Sequence, residues 1–407
     1  MKILMVTSSY PLFDGDGTAP FIEEIARSVV ARGHGVDVVL PAHPKLRRAD
    51  EPGLRFFPFS YAPHPNLNVW GYAQSMNADR GFRGKTLMVA PFAALATTRA
   101  VRRRLRGDAY DIVHAHWVVP GGVLSRRPAI AARKPLVISL HGSDVFAAER
   151  SLLVGMAARR AFLAAGAVTA CSSDLRDRAI ALGARAERTR TVPYGVDAPF
   201  FSDGSVPDAP RDLMRRRLGV SSSQTLVVAV GRLVEKKGFA HLIGAVGGSP
   251  QLHLAIVGDG DLQGELLGRA RAAQASVTLA GRFSRSETRD ALQCADIVAV
   301  PSIVDSKGNV DGLPNVLLEA MASARAIVAS RVAGIPDVLR DGVEGVLVPP
   351  GDAASIRDAL LRLAADAGLR AGLAEGAARR VRRDLTWDRV AATLEESYVQ
   401  AQTLAKR

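Results

Sequence analysis

Cysteine is nearly absent from this chain: Cys171 and Cys294 are the only two in 407 residues. They stand far apart with no paired spacing. That argues against a disulfide framework or a cysteine-held structural zinc, and fits a reducing, cytoplasmic setting. Long apolar runs are missing too. The longest uncharged apolar-rich stretch, Thr86–Thr98, is too short to span a bilayer. The opening Met1–Val6, followed by Ser8, Ser9, Tyr10 and Pro11, is too short for a signal-peptide core and reads as a strand. Aromatic residues make up only 5% of the chain, and basic clusters such as Arg102-Arg103-Arg104 have none interleaved. Single-stranded nucleic-acid binding needs such stacking platforms, so no nucleic-acid partner is expected.

Acidic residues are also in short supply: 53 Lys and Arg face 40 Asp and Glu, a formal net charge of +13. The imbalance is one-sided. Residues 1–200 hold 27 basic against 16 acidic residues, and residues 201–407 hold 26 against 24. Such asymmetry suits an anionic partner: nucleic acid, a membrane surface or a phosphorylated acceptor. An arginine-rich composition with no partner attached accounts for it equally well.

With 48% apolar and 23% charged residues the chain is ordinary globular material. Its length exceeds the roughly 250–300 residues at which a single core usually splits, so two domains are expected. Short β-branched runs alternate with amphipathic stretches such as Phe21–Arg32. The first series is Ile3–Val6, Val36–Leu40, Ile112–His114, Leu136–Leu140 and Val168–Ala170. The pattern restarts with Thr225–Val230, His253–Val257, Val277–Leu279, Ile297–Val300, Ala326–Ala329 and Gly345–Val348. Strand–helix alternation builds parallel sheets covered by helices on both faces. The expected fold is therefore α/β, with two Rossmann-like doubly wound domains facing a cleft. The expected boundaries are 1–200 and 201–385, within a Pro-, Asp-, Gly- and Ser-rich stretch at 199–223. A last helix over 386–407, with Thr386 as a plausible cap, would pack back toward the first domain.

Ligands of open α/β sheets bind beyond the carboxyl ends of the strands. The first strand leads into Tyr10-Pro11-Leu12-Phe13-Asp14-Gly15-Asp16-Gly17-Thr18, where Gly15 and Gly17 allow a ligand to approach the backbone. A plain flexible turn fits as well, and Asp14-x-Asp16 lacks the further oxygen ligands a metal shell needs. Leu136–Leu140 runs into His141-Gly142-Ser143-Asp144, placing a histidine at a strand end. His114-x-His116 has no third ligand and reads as packing. In the second half, Gly231-Arg232-Leu233-Val234-Glu235-Lys236-Lys237-Gly238 opens a helix between two cations. Arg232 and Lys237 suit a diphosphate there, although a solvated charged loop would look the same. Asp311-Gly312-Leu313-Pro314-Asn315-Val316-Leu317-Leu318-Glu319 is the most specific segment. Pro314 suits the first turn of a helix, leaving amides near Asn315 and Val316 free for an anion. A carboxylate at each end, Asp311 and Glu319, suits a nucleotide sugar, one for the sugar and one for the ribose.

That segment resembles the E-x7-E signature of family 4 retaining glycosyltransferases of the GT-B type. Gly231-Arg232-Leu233 with Lys237-Gly238, Val257-Gly258-Asp259-Gly260, Val192-Pro193-Tyr194-Gly195-Val196-Asp197, His141-Gly142-x-Asp144 and Trp387 are similar to the family's landmarks, in its order, over nearly the whole chain. The resemblance implies a nucleotide-diphosphate sugar as donor. Arg232 and Lys237 would bind the diphosphate and Glu319 the ribose hydroxyls. Asp311, with the amides of Leu313, Pro314, Asn315 and Val316 as far as each has one, would hold the transferred sugar. His141 would touch that sugar near the reacting carbon, and Gly281-Arg282-Phe283 would read the base. Gly258 belongs to the donor loops, and Gly15 and Gly17 would approach the phosphates or the acceptor. Retention of configuration without an enzymic nucleophile follows from the same likeness, with no cofactor and no required metal.

Two positions depart from the pattern. The first acid is Asp311 rather than Glu, one methylene shorter, and Tyr194 stands where Asn is usual. The acceptor stays open. Arg80–Arg106 places Phe82, Leu87, Met88, Val89, Phe92, Leu95 and Val101 among eight cations. A lipid-linked or membrane-surface acceptor would suit peripheral attachment there, at the inner face of the membrane. A soluble acceptor would suit a packed helix with a solvated basic end. A GT-B-type nucleotide-sugar epimerase and a basic nucleic-acid-binding protein are the competing readings.

Overall fold

Residues 1–62, 64, 72, 80–202 and 208–406 are described by the computed structural model, with backbone alone at 80–88 and 208–210. They form two units, residues 1–192 with 387–407, and residues 193–386.

The first unit is built on a seven-stranded sheet in the order β3-β2-β1-β4-β5-β6-β7. Its strands are β1 (Lys2–Val6), β2 (Gly35–Pro41), β3 (Leu54–Phe59), β4 (Ile112–His116), β5 (Leu136–Leu140), β6 (Ala167–Ala170) and β7 (Thr189–Thr191). All pairings are parallel; Ile3, for example, lies between Val36 and Ile112. Two of these strands are absent from the sequence reading, and both are edges. β3 carries Arg55 and Pro58 and packs only partly, and β7 is three polar-leaning residues, so neither shows the apolar run of a buried strand.

The helix Trp387–Ala405 belongs to this unit. Its Val390, Leu394, Tyr398 and Ala401 join the core formed by Ile3, Met5, Ile22, Val29 and Val137. Gly166 permits the approach, because a Cβ there would lie 2.7 Å from the Ala401 Cβ. Arg32 reinforces it through Asp388 (3.0 Å) and Glu395 (2.8 Å).

The second unit holds a six-stranded parallel sheet in the order β10-β9-β8-β11-β12-β13. Its strands are β8 (Thr225–Val230), β9 (Leu252–Val257), β10 (Val277–Gly281), β11 (Ile297–Val300), β12 (Ala326–Ser330) and β13 (Val346–Val348). Leu242, Ile243, Ile256, Ile297, Val328, Leu360 and Leu363 fill the core between its sheet and helices.

The units part at Val192 rather than near residue 200. β7 keeps the chain in the first sheet, and the Val192 amide still bonds the Ala170 carbonyl at 2.7 Å. Of the polar stretch expected to be a linker, Ala198–Ser202 and Asp208–Arg217 are helices of the second unit, and residues 203–207 lie outside the described residues.

Candidate active site

In the second sheet the strand order reverses between β8 and β11, the switch point where open sheets bind ligands. The loops leaving these strands are stitched together. Gly238 has a left-handed backbone (φ 68°), and a Cβ there would sit 1.8 Å from the Pro301 carbonyl oxygen. The Ile303 amide bonds the Lys236 carbonyl at 2.9 Å, and the Ser306 amide and hydroxyl donate to Glu235. Gly258 packs as tightly on the other side, where a Cβ would meet the Gly231 oxygen at 1.9 Å.

This stitching brings Lys236 and Lys237, after β8, onto Asp311, after β11. Lys236 Nζ lies 2.6 Å from Asp311 Oδ1 and Lys237 Nζ 2.6 Å from Oδ2. Burial alone would raise the Asp311 carboxyl. The two ammonium groups overcome it and hold that carboxyl far below the usual range. Arg232 is half-buried in the same loop. Lys236 was not assigned a role from sequence; its signal was adjacency to Lys237 in the single turn Glu235–Lys237.

Pro314 is not in the first helical turn, as the sequence suggested. Its extended ψ of 120° makes it the N-cap of the helix Asn315–Ala322. The amides of Asn315 and Val316 are then first-turn groups with no acceptor inside the helix. Leu313 and Val316 are buried beneath them. Glu319 follows on the same helix and is half-buried. Burial pushes its carboxyl up to about 7, against the opposing pull of Arg285 and Lys237. Arg285 bonds Asp197 at 3.2 Å and lies over Phe200. Beyond β10, Gly281 accepts from the Gly258 amide at 2.8 Å, Arg282 is exposed, and Phe283 is buried under the Arg217 guanidinium at 4.2 Å.

In the first unit the order reverses between β1 and β4. The loop after β1 carries Gly15 and Gly17, both exposed and with open space where a Cβ would go. Its frame is the buried Arg48, which donates to the Pro11 and Phe13 carbonyls (2.9 and 3.2 Å) and pairs with Asp14 and Glu23. Asp16 accepts from the Leu12 amide at 2.9 Å. Both loop carboxylates therefore serve the turn itself.

His141 follows β5 and stands against Phe21 (4.8 Å between ring centres) and Trp117 (5.0 Å). His116 Nδ1 lies 3.0 Å from His141 Nε2, so one ring supplies the proton the other accepts. Behind them the buried His114 bonds Ser139 (2.7 Å) and Tyr398 (2.9 Å). Burial lowers His141 to about 3, with His114 adding to the effect, so its imidazole is neutral near pH 7. Asp144 fixes the turn: its carboxylate accepts from the Val118 amide (2.7 Å) and the Gly142 amide (3.1 Å). Burial pushes that carboxyl up to about 6, and the amide donors limit the rise. The sequence shows Asp144 and His116 without these roles, because pairing between β4 and β5 is invisible in the chain order.

Known proteins resemble this chain in sequence and in fold. Residues 224–366 match the family described as glycosyl transferases group 1, and residues 16–195 match the glycosyl transferase 4-like domain. A D-inositol 3-phosphate glycosyltransferase from Salinispora arenicola is 34% identical over 335 residues, covering 74% of this chain and 71% of its own. A phosphatidyl-myo-inositol mannosyltransferase from Mycolicibacterium smegmatis is 28% identical over 389 residues, covering 94% and 89%. The crystal structure of Anabaena HepE in complex with UDP and glucose has a similar fold, with a TM-score of 0.76 at 22% identity over 98% of this chain and 99% of that one. The chain belongs to glycosyltransferase family 4, the group 1 glycosyl transferases, and is an enzyme with the GT-B fold.

Proposed function

We propose that this glycosyltransferase moves a sugar from a nucleotide-diphosphate sugar to an acceptor hydroxyl with retention of configuration. The observation that carries the reading is the convergence of Lys236 and Lys237 on Asp311 at the β8/β11 switch point, beside the helix start at Asn315. Arg232, Lys237 and the first-turn amides supply positive charge for a diphosphate. Glu319 serves the ribose hydroxyls, and Asp311 the transferred sugar. His141 contacts the sugar near the reacting carbon as a neutral imidazole. Gly258 and the Gly281–Phe283 turn line the nucleotide, and Gly15 and Gly17 admit phosphates or acceptor.

As the sugar–phosphate bond breaks, the leaving diphosphate oxygen accepts the acceptor's proton, and the acceptor oxygen bonds the same face of the anomeric carbon. The chain's share is positioning and charge stabilisation. Arg232, Lys237 and the helix start are the groups that would offset the charge of the leaving diphosphate, and the proposal includes no metal and no cofactor. HepE, which binds UDP and glucose, supports a nucleotide-sugar donor. The relatives act on an inositol phosphate and on a phosphatidyl-inositol, consistent with an anionic acceptor served by the basic first half. A membrane-borne acceptor makes the enzyme peripheral at the inner membrane face.

The test is a thermal-shift panel with UDP, GDP, ADP and TDP, followed by NMR of the product's anomeric centre. One diphosphate should raise the midpoint, further at higher concentration and roughly with its logarithm. No shift with any of them, or an inverted product, would overturn the reading.

A further inference from the structure

The first unit sets three helices side by side: Arg80–Gly107 packs on Val123–Ala131, which packs on Leu152–Ala164. None of the three contains an Asp or Glu. Among the described residues, the acids that flank them are already engaged, Asp108 by Lys2 and Arg104, and Glu149 by Arg178, while Asp79 lies outside the described residues. The side chains of Arg80, Phe82, Arg83, Lys85, Leu87 and Met88 lie outside the described residues.

From residue 91 the first helix has two faces. Ala93, Thr97 and Val101 form the buried ridge, four residues apart. The opposite side exposes Phe92 (62%) and Leu95 beside Arg99, Arg102, Arg103 and Arg106. Arg104 is not part of that surface, because it turns inward onto Tyr110 and Asp108 and over the Phe57 ring. The neighbouring helix exposes Ile130 (57%) with Arg127. The third exposes Leu152 (81%), Leu153 (74%) and Met156 with Arg159 and Arg160. Solvated helices carry mixed charges on their outer faces, whereas large side chains set among cations alone match an anionic, apolar-backed surface.

We propose that the outer faces of these three helices form a docking surface for an anionic lipid bilayer. Leu152, Leu153, Ile130 and Phe92 enter the headgroup–acyl boundary, and the arginines lie at the phosphate level. The inference deepens the membrane-borne acceptor reading above and rests on it only for its purpose. A nucleic acid would use the cations and leave the leucines unused.

The experiment sediments the full-length protein with phosphatidylglycerol and with phosphatidylcholine vesicles, at low and high salt. Binding should require phosphatidylglycerol and fall with salt. Leu152→Ser with Leu153→Ser should weaken partitioning by on the order of tenfold or more. Arg159→Ser with Arg160→Ser should weaken it by roughly fivefold per charge. Val399→Ser, an exposed apolar position on the helix Trp387–Ala405, should bind as wild type. Equal recovery with both lipids, or no effect of either double change, would overturn the proposal, as would loss of self-association by light scattering in place of loss of vesicle binding. Slow hydrolysis of the nucleotide sugar in solution, measured on the same variants, separates the two readings. It should be unchanged by the surface substitutions, and its absence in wild type would count against the donor assignment instead.

Discussion

Lys237 Nζ and Asp311 Oδ2 lie 2.6 Å apart, joining the loop after β8 to the loop after β11 across the switch point of the second sheet. Because Lys236 holds the other oxygen of the same carboxylate, Asp311 neutralises two cations that a diphosphate would also seek. Asp311→Ala should therefore leave affinity for the free nucleotide diphosphate unchanged or raise it. Transfer from the sugar donor should fall by roughly tenfold or more, the cost of a lost charge-assisted bond. Calorimetry with the diphosphate and turnover with the sugar donor separate the two effects. Poor diphosphate binding by this variant would reverse the roles assigned to Asp311 and the lysines.

Removing the cations should act in the opposite sense. Lys237→Ala and Arg232→Ala are each expected to weaken diphosphate binding by about 1.5–3 kcal/mol. Lys237→Ala should leave the fold intact, since Lys236 still pairs with Asp311. Unchanged calorimetric affinity in both variants would remove the diphosphate from this loop.

Glu319 makes binding pH-dependent. Its carboxyl, raised to about 7 by burial, is protonated in a large fraction of molecules just below neutrality. If ribose hydroxyls donate to it, affinity should fall as pH drops through 7, and Glu319→Gln should flatten the profile. The stability sign is opposite. A carboxyl raised above its unfolded value near 4.5 is least costly to the fold below that value, and its cost grows as pH rises through 7. Without ligand, Glu319→Gln should thus stabilise the second unit at pH 8 by on the order of 2 kcal/mol, allowing for partial exposure. Denaturant titrations at pH 4 and 8 check it, with the difference between variants vanishing only below the unfolded value near 4.5.

The histidines of the first unit point the other way. Burial lowers His114 and His141 to about 3 and His116 well below its ordinary value. The unfolded chain takes up their protons near pH 6.5 and the folded chain does not, so stability is full above that pH and drains as pH falls toward 3. Each ring contributes about 1.4 kcal/mol per pH unit in that window. His116→Gln should flatten the acid limb by about 1.4 kcal/mol per pH unit, as read from denaturant titrations of the first unit between pH 6.5 and 4.5.

Both doubly wound sheets were legible because each central strand is a short β-branched run bounded by turn residues. Edge strands were not: β3 mixes Arg55 and Pro58 into its run, and β7 is too short to carry a pattern. Along the site, the sequence order alone shows Asp311 on a loop and Glu319 on the helix that follows it, with Pro314 one position earlier than its residue type suggested, as the N-cap. What could not be read was pairing across strands. The capture of Asp311 by Lys236 and Lys237, the contact of His116 with His141, and the frame Arg48 gives the first loop all join segments whose spacing in sequence carries no signal. Arg104 illustrates the limit within a single cluster. It is indistinguishable from Arg102 and Arg103 by sequence, yet helical phase turns it toward Asp108 and Tyr110.

The helix Trp387–Ala405 completes a unit that began 386 residues earlier, and Tyr398 on it is the hydroxyl partner of the buried His114. The second unit, by contrast, is one uninterrupted stretch, 193–386. A ribosome therefore finishes the second unit first, while the first unit waits for the helix Trp387–Ala405 before its sheet can be capped. Premature termination near residue 386 would release a chain whose later-made half is whole and whose earlier-made half is not.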